Sequence, residues 1–196
     1  MLRSTLLLTA AIALSLHLAA CSKPVTVESY EKDGVRFSHF SNWKVSKDEP
    51  IEGAPGTRVL HVEGPDSALM SIIWLPAASA TTLEDFAASV AEGRAEEVKK
   101  ALGPIEAMQE STGSSEPSTD QIAGRERTGI RQKFDIVLLG NHVPHEATFY
   151  MLETPTHKVI IMSQVAKENL GTTRPAWQKV YDTLALTGLA ELTTSR

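Results

Sequence analysis

The run Val159-Ile160-Ile161-Met162 constrains this chain more than any other segment, because it is apolar at both parities. Successive side chains of a β-strand point to opposite faces, so a sheet with one wet face would place polar residues at every second position. Four apolar residues in a row therefore ask for a strand covered on both sides. The flanking sequence supplies its companions. Arg125 to Leu139, His145 to Glu153 and Lys158 to Val165 read as an antiparallel meander, turning at Gly140-Asn141 and at Thr154-Pro155-Thr156. Upstream, Gly34 to Phe40 and Trp43 to Ser46 read as short strands around a polar turn. Arg58 to Val62 and Ala68 to Leu75 read as a hairpin bent at Gly64-Pro65-Asp66 and stopped by Pro76.

Two helices are available as covers. Thr81 or Thr82 caps the first, with Glu84 and Asp85 in its first turn. Its apolar stripe is Leu83, Phe86, Val90, Val98 and Leu102, and Gly103-Pro104 ends it. Gly93 in its middle costs about 1 kcal/mol relative to alanine. The second helix starts near Thr173 with Pro175 in its first turn, carries Trp177, Val180, Tyr181 and Leu184 at helical spacing, and closes at Gly188. The fold class that follows is α+β, an antiparallel β-sheet flanked by helices on both faces. Ser111 to Asp120 holds only Ser, Thr, Gly, Pro, Glu and Asp, and reads as an exposed loop.

The N-terminus carries an address. Arg3 precedes a run from Leu6 to Ala20 interrupted only by Thr9, Ser15 and His17. A spanning helix needs about 20 apolar residues, whereas a shorter apolar run ending in small residues has the form of a secretory signal. Leu18-Ala19-Ala20-Cys21 resembles the lipobox of bacterial lipoproteins. That resemblance implies a diacylglyceryl group on the Cys21 thiol, cleavage just before it, and acylation of the new amino terminus. More than one acyl chain anchors stably, at about 0.8 kcal/mol per buried methylene. The expected organisation is a signal peptide over 1–20, a lipidated N-terminus and short tether over 21–29, and a single domain over 30–190. The tether reaches at most about 28 Å from the lipid surface. By analogy with the sorting rules of enterobacterial lipoproteins, Ser22 after the cysteine implies the outer membrane over the inner, on the periplasmic face.

Composition removes whole classes of chemistry. Cys21 is the only cysteine, so the folding domain has no disulfide, thiolate metal site or cysteine nucleophile. With 24 Asp and Glu against 19 Lys and Arg, the chain lacks the cationic surplus that nucleic-acid binding needs. No phosphate loop, dinucleotide fingerprint, nucleophile elbow or zinc helix is present in the sequence.

Several residues resemble the PsbP-like superfamily, which includes the DcrB-type bacterial lipoproteins. They are Gly34-Val35-Arg36-Phe37, Trp43-Lys44-Val45, the helix after an extended hairpin, Ile122-Ala123-Gly124-Arg125-Glu126, and the closing Tyr181-Asp182-Thr183-Leu184. The sequence departs from that family at His39 and Phe40, where members usually carry an aromatic residue and then proline. The resemblance implies a PsbP-like α/β/α sandwich serving as a binding or assembly module, with no catalytic set and no cofactor.

The leading expectation is a non-enzymatic, membrane-anchored periplasmic lipoprotein that binds an envelope protein partner or supports envelope assembly. One alternative is a metal-dependent hydrolase built on His142, His145 and His157, with Glu146 and Glu153 as further ligands. Strand parity opposes it, because His142 and His145 would point to opposite faces. Another is a small-ligand carrier with a pocket between sheet and helix. His39 and His61 read as structural, and Trp43, Trp74 and Trp177 as core, with Trp74 the most open to a ligand role. Arg125, Arg127 and Arg131 share one face of a strand. They read either as an anion- or partner-binding stripe or, more simply, as a solvated face.

Overall fold

The first described strands form a hairpin, β1 (Val27–Lys32) with β2 (Val35–Phe40). The computed structural model describes residues 24–102, 113–138 and 141–187. Outside the described residues lie the segment expected to be a signal peptide, with Leu18 to Cys21, and Gly103-Pro104, Gly140 and Gly188, and nothing is described of the side chains of Val98 and Leu102. Asp33 and Gly34 connect the hairpin with φ of 48° and 80°, the two positive values of a type I′ turn. Val27 to Ser29, assigned to the tether on sequence, belong to this strand.

Seven antiparallel strands follow: β3 (Lys44–Pro50), β4 (Arg58–Glu63), β5 (Leu69–Pro76), β6 (Ser114–Ile122), β7 (Arg125–Leu138), β8 (Asn141–Glu153) and β9 (His157–Ala166). Their spatial order is β3-β4-β5-β9-β8-β7-β6, so β9 lies inside the sheet. Val159, Ile160 and Ile161 are fully buried and Met162 nearly so, as the double parity of that run requires. The segment from Ser41 to Trp43 carries the chain from the hairpin into the main sheet, so β2 and β3 lie in different sheets.

Two helices cover the two faces. On one, α1 (Leu83–Leu102) lays Leu83, Phe86, Ala87 and Val90 on Phe134, Ala147, Phe149 and Met162. Thr82 caps it reciprocally: the Asp85 N–H donates to Thr82 Oγ1 (3.1 Å), and the Thr82 N–H donates to Asp85 Oδ2 (3.4 Å). Two otherwise orphaned donors are thereby satisfied. Thr82→Ala is expected to lower stability by about 1 kcal/mol, read as a lower urea midpoint with an unchanged slope. On the other face, α2 (Leu170–Thr183) buries Thr173, Ala176, Trp177, Val180 and Tyr181. It shares that layer with the small sheet, in which the two-residue β10 (Ala185–Leu186) pairs with β2. The Ser38 N–H donates to Thr183 Oγ1 (2.8 Å), joining helix and hairpin edge to edge. The protein is thus α+β, with its antiparallel sheet flanked by helices on both faces.

Two sequence expectations are corrected. The helix near Thr173 begins three residues earlier, at Leu170, so Pro175 lies inside it rather than in its first turn. The segment expected to be a loop up to Asp120 is instead the edge strand β6, paired with β7 from Ser114 to Ile122. An edge strand is held by backbone hydrogen bonds on one side only and needs few apolar side chains. Its alternation is real but polar, with Ser118 and Ile122 buried and Ser115, Pro117, Thr119 and Gln121 exposed. Pro117 is tolerated because edge strands do not require every N–H.

Candidate functional site

The two layers meet at one end of the sandwich, where Arg58 begins β4, Trp74 nears the end of β5 and His157 begins β9. A cleft of about 290 Å³ opens there, close to the lower limit of small-ligand pockets. Trp74, Val159 and Leu186 give it apolar walls, and Arg58, Thr154 and His157 polar ones. The Asp33-Gly34 turn and Thr187 close the side formed by the small sheet. Gly34 is required there: a Cβ on it would lie 2.6 Å from Thr187 Oγ1, and its φ of 80° already disfavours other residues.

Arg58 is held rigidly. Its guanidinium carbon sits 4.9 Å from the centroid of the Trp74 ring, and the same group forks onto Asp48, with Nε to Oδ1 at 2.6 Å and Nη2 to Oδ2 at 2.9 Å. Asp48 also receives the Lys32 ammonium (2.7 Å) and the Tyr30 hydroxyl, both from β1. This cluster ties the small sheet to the main one. The Arg58 fork, helped by Lys32 and Tyr30 and opposed by burial, holds the Asp48 carboxyl well below the usual carboxylate range. Burial first, then the hydrogen bond to Asp48 and the charge of that carboxylate, pushes the Tyr30 hydroxyl up to about 12. The cleft thus has one fixed, aromatic-stacked cation whose charge is largely answered from behind. It can seat a flat or apolar group on Trp74 and orient it through the rim hydroxyls and His157.

The histidines do not assemble. His142 and His145 lie on opposite faces of β8. His142 Nδ1 is 3.1 Å from Asp135 Oδ2, whereas His145 stacks on Phe134 (5.6 Å between centroids) with Nδ1 2.8 Å from the Val143 carbonyl oxygen. His157 sits at the other end of the β8–β9 hairpin, since His145 is opposite Ala166 and Glu153 opposite Lys158. Eight strand residues separate those pairs, roughly 27 Å. Glu146 is buried beside Arg131, with Arg131 Nε 3.0 Å from Glu146 Oε1, an ion pair whose alignment falls short of a hydrogen bond. Among the described residues no group of three or more His, Cys, Asp or Glu side chains is placed to hold a metal ion. The hydrolase alternative therefore loses its ligand set: the strand that carries His142 and His145 separates them by parity.

The other singled-out residues fall as follows. Trp43 and Trp177 are core, while Trp74 is partly exposed and lines the cleft. His39 is buried against Phe37, and His61 Nδ1 lies 2.8 Å from Ser71 Oγ, with burial lowering its pKa. The Asp48–Arg58–Tyr30 cluster was not visible in the sequence, because its members come from three strands with no shared spacing. The cleft is bounded by the Asp33-Gly34 turn, whose dipeptide is itself a hairpin signal.

No protein-family model matches the chain, and no curated protein matches it in sequence. Among solved structures, it is similar to cyanobacterial PsbP (CyanoP) from Synechocystis sp. PCC 6803, at 17% identity and a TM-score of 0.47, over 86% of this chain and 98% of that one. It is also similar to LpqN, involved in cell envelope biogenesis of Mycobacterium tuberculosis, at 11% identity and a TM-score of 0.37, over 83% of this chain and 91% of that one.

Proposed function

We propose that the chain is a lipid-anchored envelope protein, held on the periplasmic face of the outer membrane by an acylated Cys21. There it acts as a non-enzymatic module that binds a protein partner or supports envelope assembly. The observation that carries the reading is the sequence Leu18-Ala19-Ala20-Cys21, with only Ser22 to Thr26 between it and the first strand. β1 then runs from Val27, opposite Phe40, to Lys32, opposite Val35, and ends at the Asp33-Gly34 turn beside the cleft. The first residue of β1 and the cleft therefore lie at opposite ends of a strand about 20 Å long. A partner in the periplasm would meet the cleft at the end of β1 that the tether does not enter. The cleft itself favours a second reading, a small-ligand carrier, with the pocket between the two sheets instead of between sheet and helix as expected from sequence.

Cys21→Ser is expected to abolish incorporation of labelled palmitate and to leave the precursor uncleaved, as seen by its mobility on a gel. Normal processing and anchoring of that variant would remove the basis of the proposal. In-cell crosslinking of the lipidated protein, with Cys21→Ser as control, then separates the two readings. A reproducible envelope partner lost in the variant supports the binding module, and its absence shifts the weight to the carrier.

A further inference from the structure

We propose that Arg125 and Arg127, side by side on the α2-covered face of β7, bind a phosphate group. Their face is fixed by register: Arg125 is opposite Ile122 and Arg127 opposite Asp120, and Ile122 belongs to the core beneath α2. The inference stands apart from the function proposed above and rests on how the carboxylates of this face are shared out.

Three arginines occupy the face, and one is already satisfied. Arg131 reaches Glu146 (3.0 Å), Glu116 (3.4 Å) and the Ser118 hydroxyl (3.2 Å). Arg127 has Asp120 as its cross-strand neighbour, the position from which a counter-charge is expected. Asp120 is engaged elsewhere, because the Tyr150 hydroxyl donates to its Oδ2 (3.1 Å) and is also 2.9 Å from the Ser118 hydroxyl. Arg127 consequently has no ion-pair or hydrogen-bond partner among the described residues, and its Nε is buried with no acceptor. Burial, and then the charge of Arg125, lower its pKa. Glu126 points to the opposite face, and Asp182 on α2 accepts from Gln178 Nε2 (2.7 Å).

A buried donor without an acceptor is uncommon in folded proteins and often marks the place of a bound water or ion. The guanidinium's own charge and that of Arg125 beside it make the missing group an anion. Residues two apart on a strand are separated by about 6.6 Å, so two guanidinium forks can converge on one tetrahedral oxyanion, each donating through paired N–H groups. Pairing with β6 fixes the backbone of both residues, so only the side chains are left to order on binding.

The test is a calorimetric titration of inorganic phosphate into the full chain, at constant ionic strength set with chloride. Phosphate is expected to bind in preference to chloride. Arg127→Gln and Arg125→Gln should each weaken binding at least tenfold, and Arg36→Gln, an exposed arginine on β2, should leave it unchanged. Asp120→Asn removes the nearest carboxylate and should tighten binding several-fold, an effect that a purely structural role for Arg127 would not produce. Arg125 is exposed, so its variant reads the site even if Arg127→Gln fails to fold. Repeating the titration with glycerol phosphate separates the sources: binding of both compounds points to a phosphate ester, and of phosphate alone to the free ion. No phosphate-specific heat, or equal losses in Arg125→Gln and Arg36→Gln, would overturn the proposal.

Discussion

Gly129→Val is expected to destabilise the protein by about 3 kcal/mol or more, a large share of the stability of an ordinary domain. Glycine inside a strand normally weakens it, and it persists where another group approaches the backbone closely. Here the approaching group is Tyr150. A Cβ on Gly129 would collide with the Phe149 carbonyl oxygen and lie within 2.7 Å of Tyr150 Cε1. The carbonyl belongs to the backbone of the adjacent strand β8 and cannot turn aside. The tyrosine is fully buried, packs edge-on against Tyr181 (6.0 Å) and is held at its hydroxyl by Ser118 and Asp120. Burial pushes that hydroxyl's pKa up to about 12. Any added side chain must therefore displace an aromatic ring whose every edge is engaged. The measurement is chemical denaturation followed by tyrosine near-ultraviolet circular dichroism. A Gly129→Ala variant with wild-type midpoint and spectrum would show that the strand has room, and would remove the packing argument.

Asp48→Asn is expected to cost about 3 kcal/mol near neutral pH, because it leaves Arg58 and Lys32 without the carboxylate that answers them. The side chain of Asp48 is only 8% exposed and that of Arg58 17%, so water replaces little of what is lost. The loss should depend on pH in one direction. The folded carboxyl titrates below the unfolded one, so its contribution is complete above the ordinary carboxylate range, above about pH 5. Below that range the unfolded chain takes up a proton that the folded chain refuses. Stability then falls by up to about 1.4 kcal/mol per pH unit until the folded group titrates as well. Wild type and Asp48→Asn should therefore converge as denaturation is measured at successively lower pH. A gap that stays constant from pH 7 to pH 3 would mean that Asp48 is not the group that titrates.

Much of the main sheet could be read directly. The double-parity run at Val159, the turn at Thr154 to Thr156 and the Pro76 stop each rest on local chemistry that survives in the fold, while the expected turn at Gly140-Asn141 lies partly outside the described residues. The edge strands β1 and β6 were missed for a shared reason. Each is an edge strand whose exposed residues are mostly polar or charged, with Val27 and Pro117 as exceptions, so neither shows apolar alternation. Each nevertheless leads into a two-residue turn with positive φ at both positions, Asp33-Gly34 and Ala123-Gly124. Asp33-Gly34, read as a type I′ turn, demands a strand on either side and would have supplied β1, whereas Ala123-Gly124 is no such signal and leaves β6 unmarked. The cleft and the Asp48 cluster were not legible by any local rule. They exist only because β1 lies across β3 and β4, and that placement follows from long-range pairing.

That pairing also fixes when the molecule can be completed. The hairpin β1–β2 finds its remaining neighbours in α2 and β10, through Ser38 to Thr183 and Gly34 to Thr187, contacts between opposite ends of the chain. A polypeptide made or threaded N-terminus first has nothing to close this layer with until residues 170–187 emerge. Closing so long a loop is slow compared with forming the local hairpins. Until then the apolar faces of Val35, Phe37 and Ile161 stay uncovered, so the last segment of the domain to be made is the one that seals its second layer.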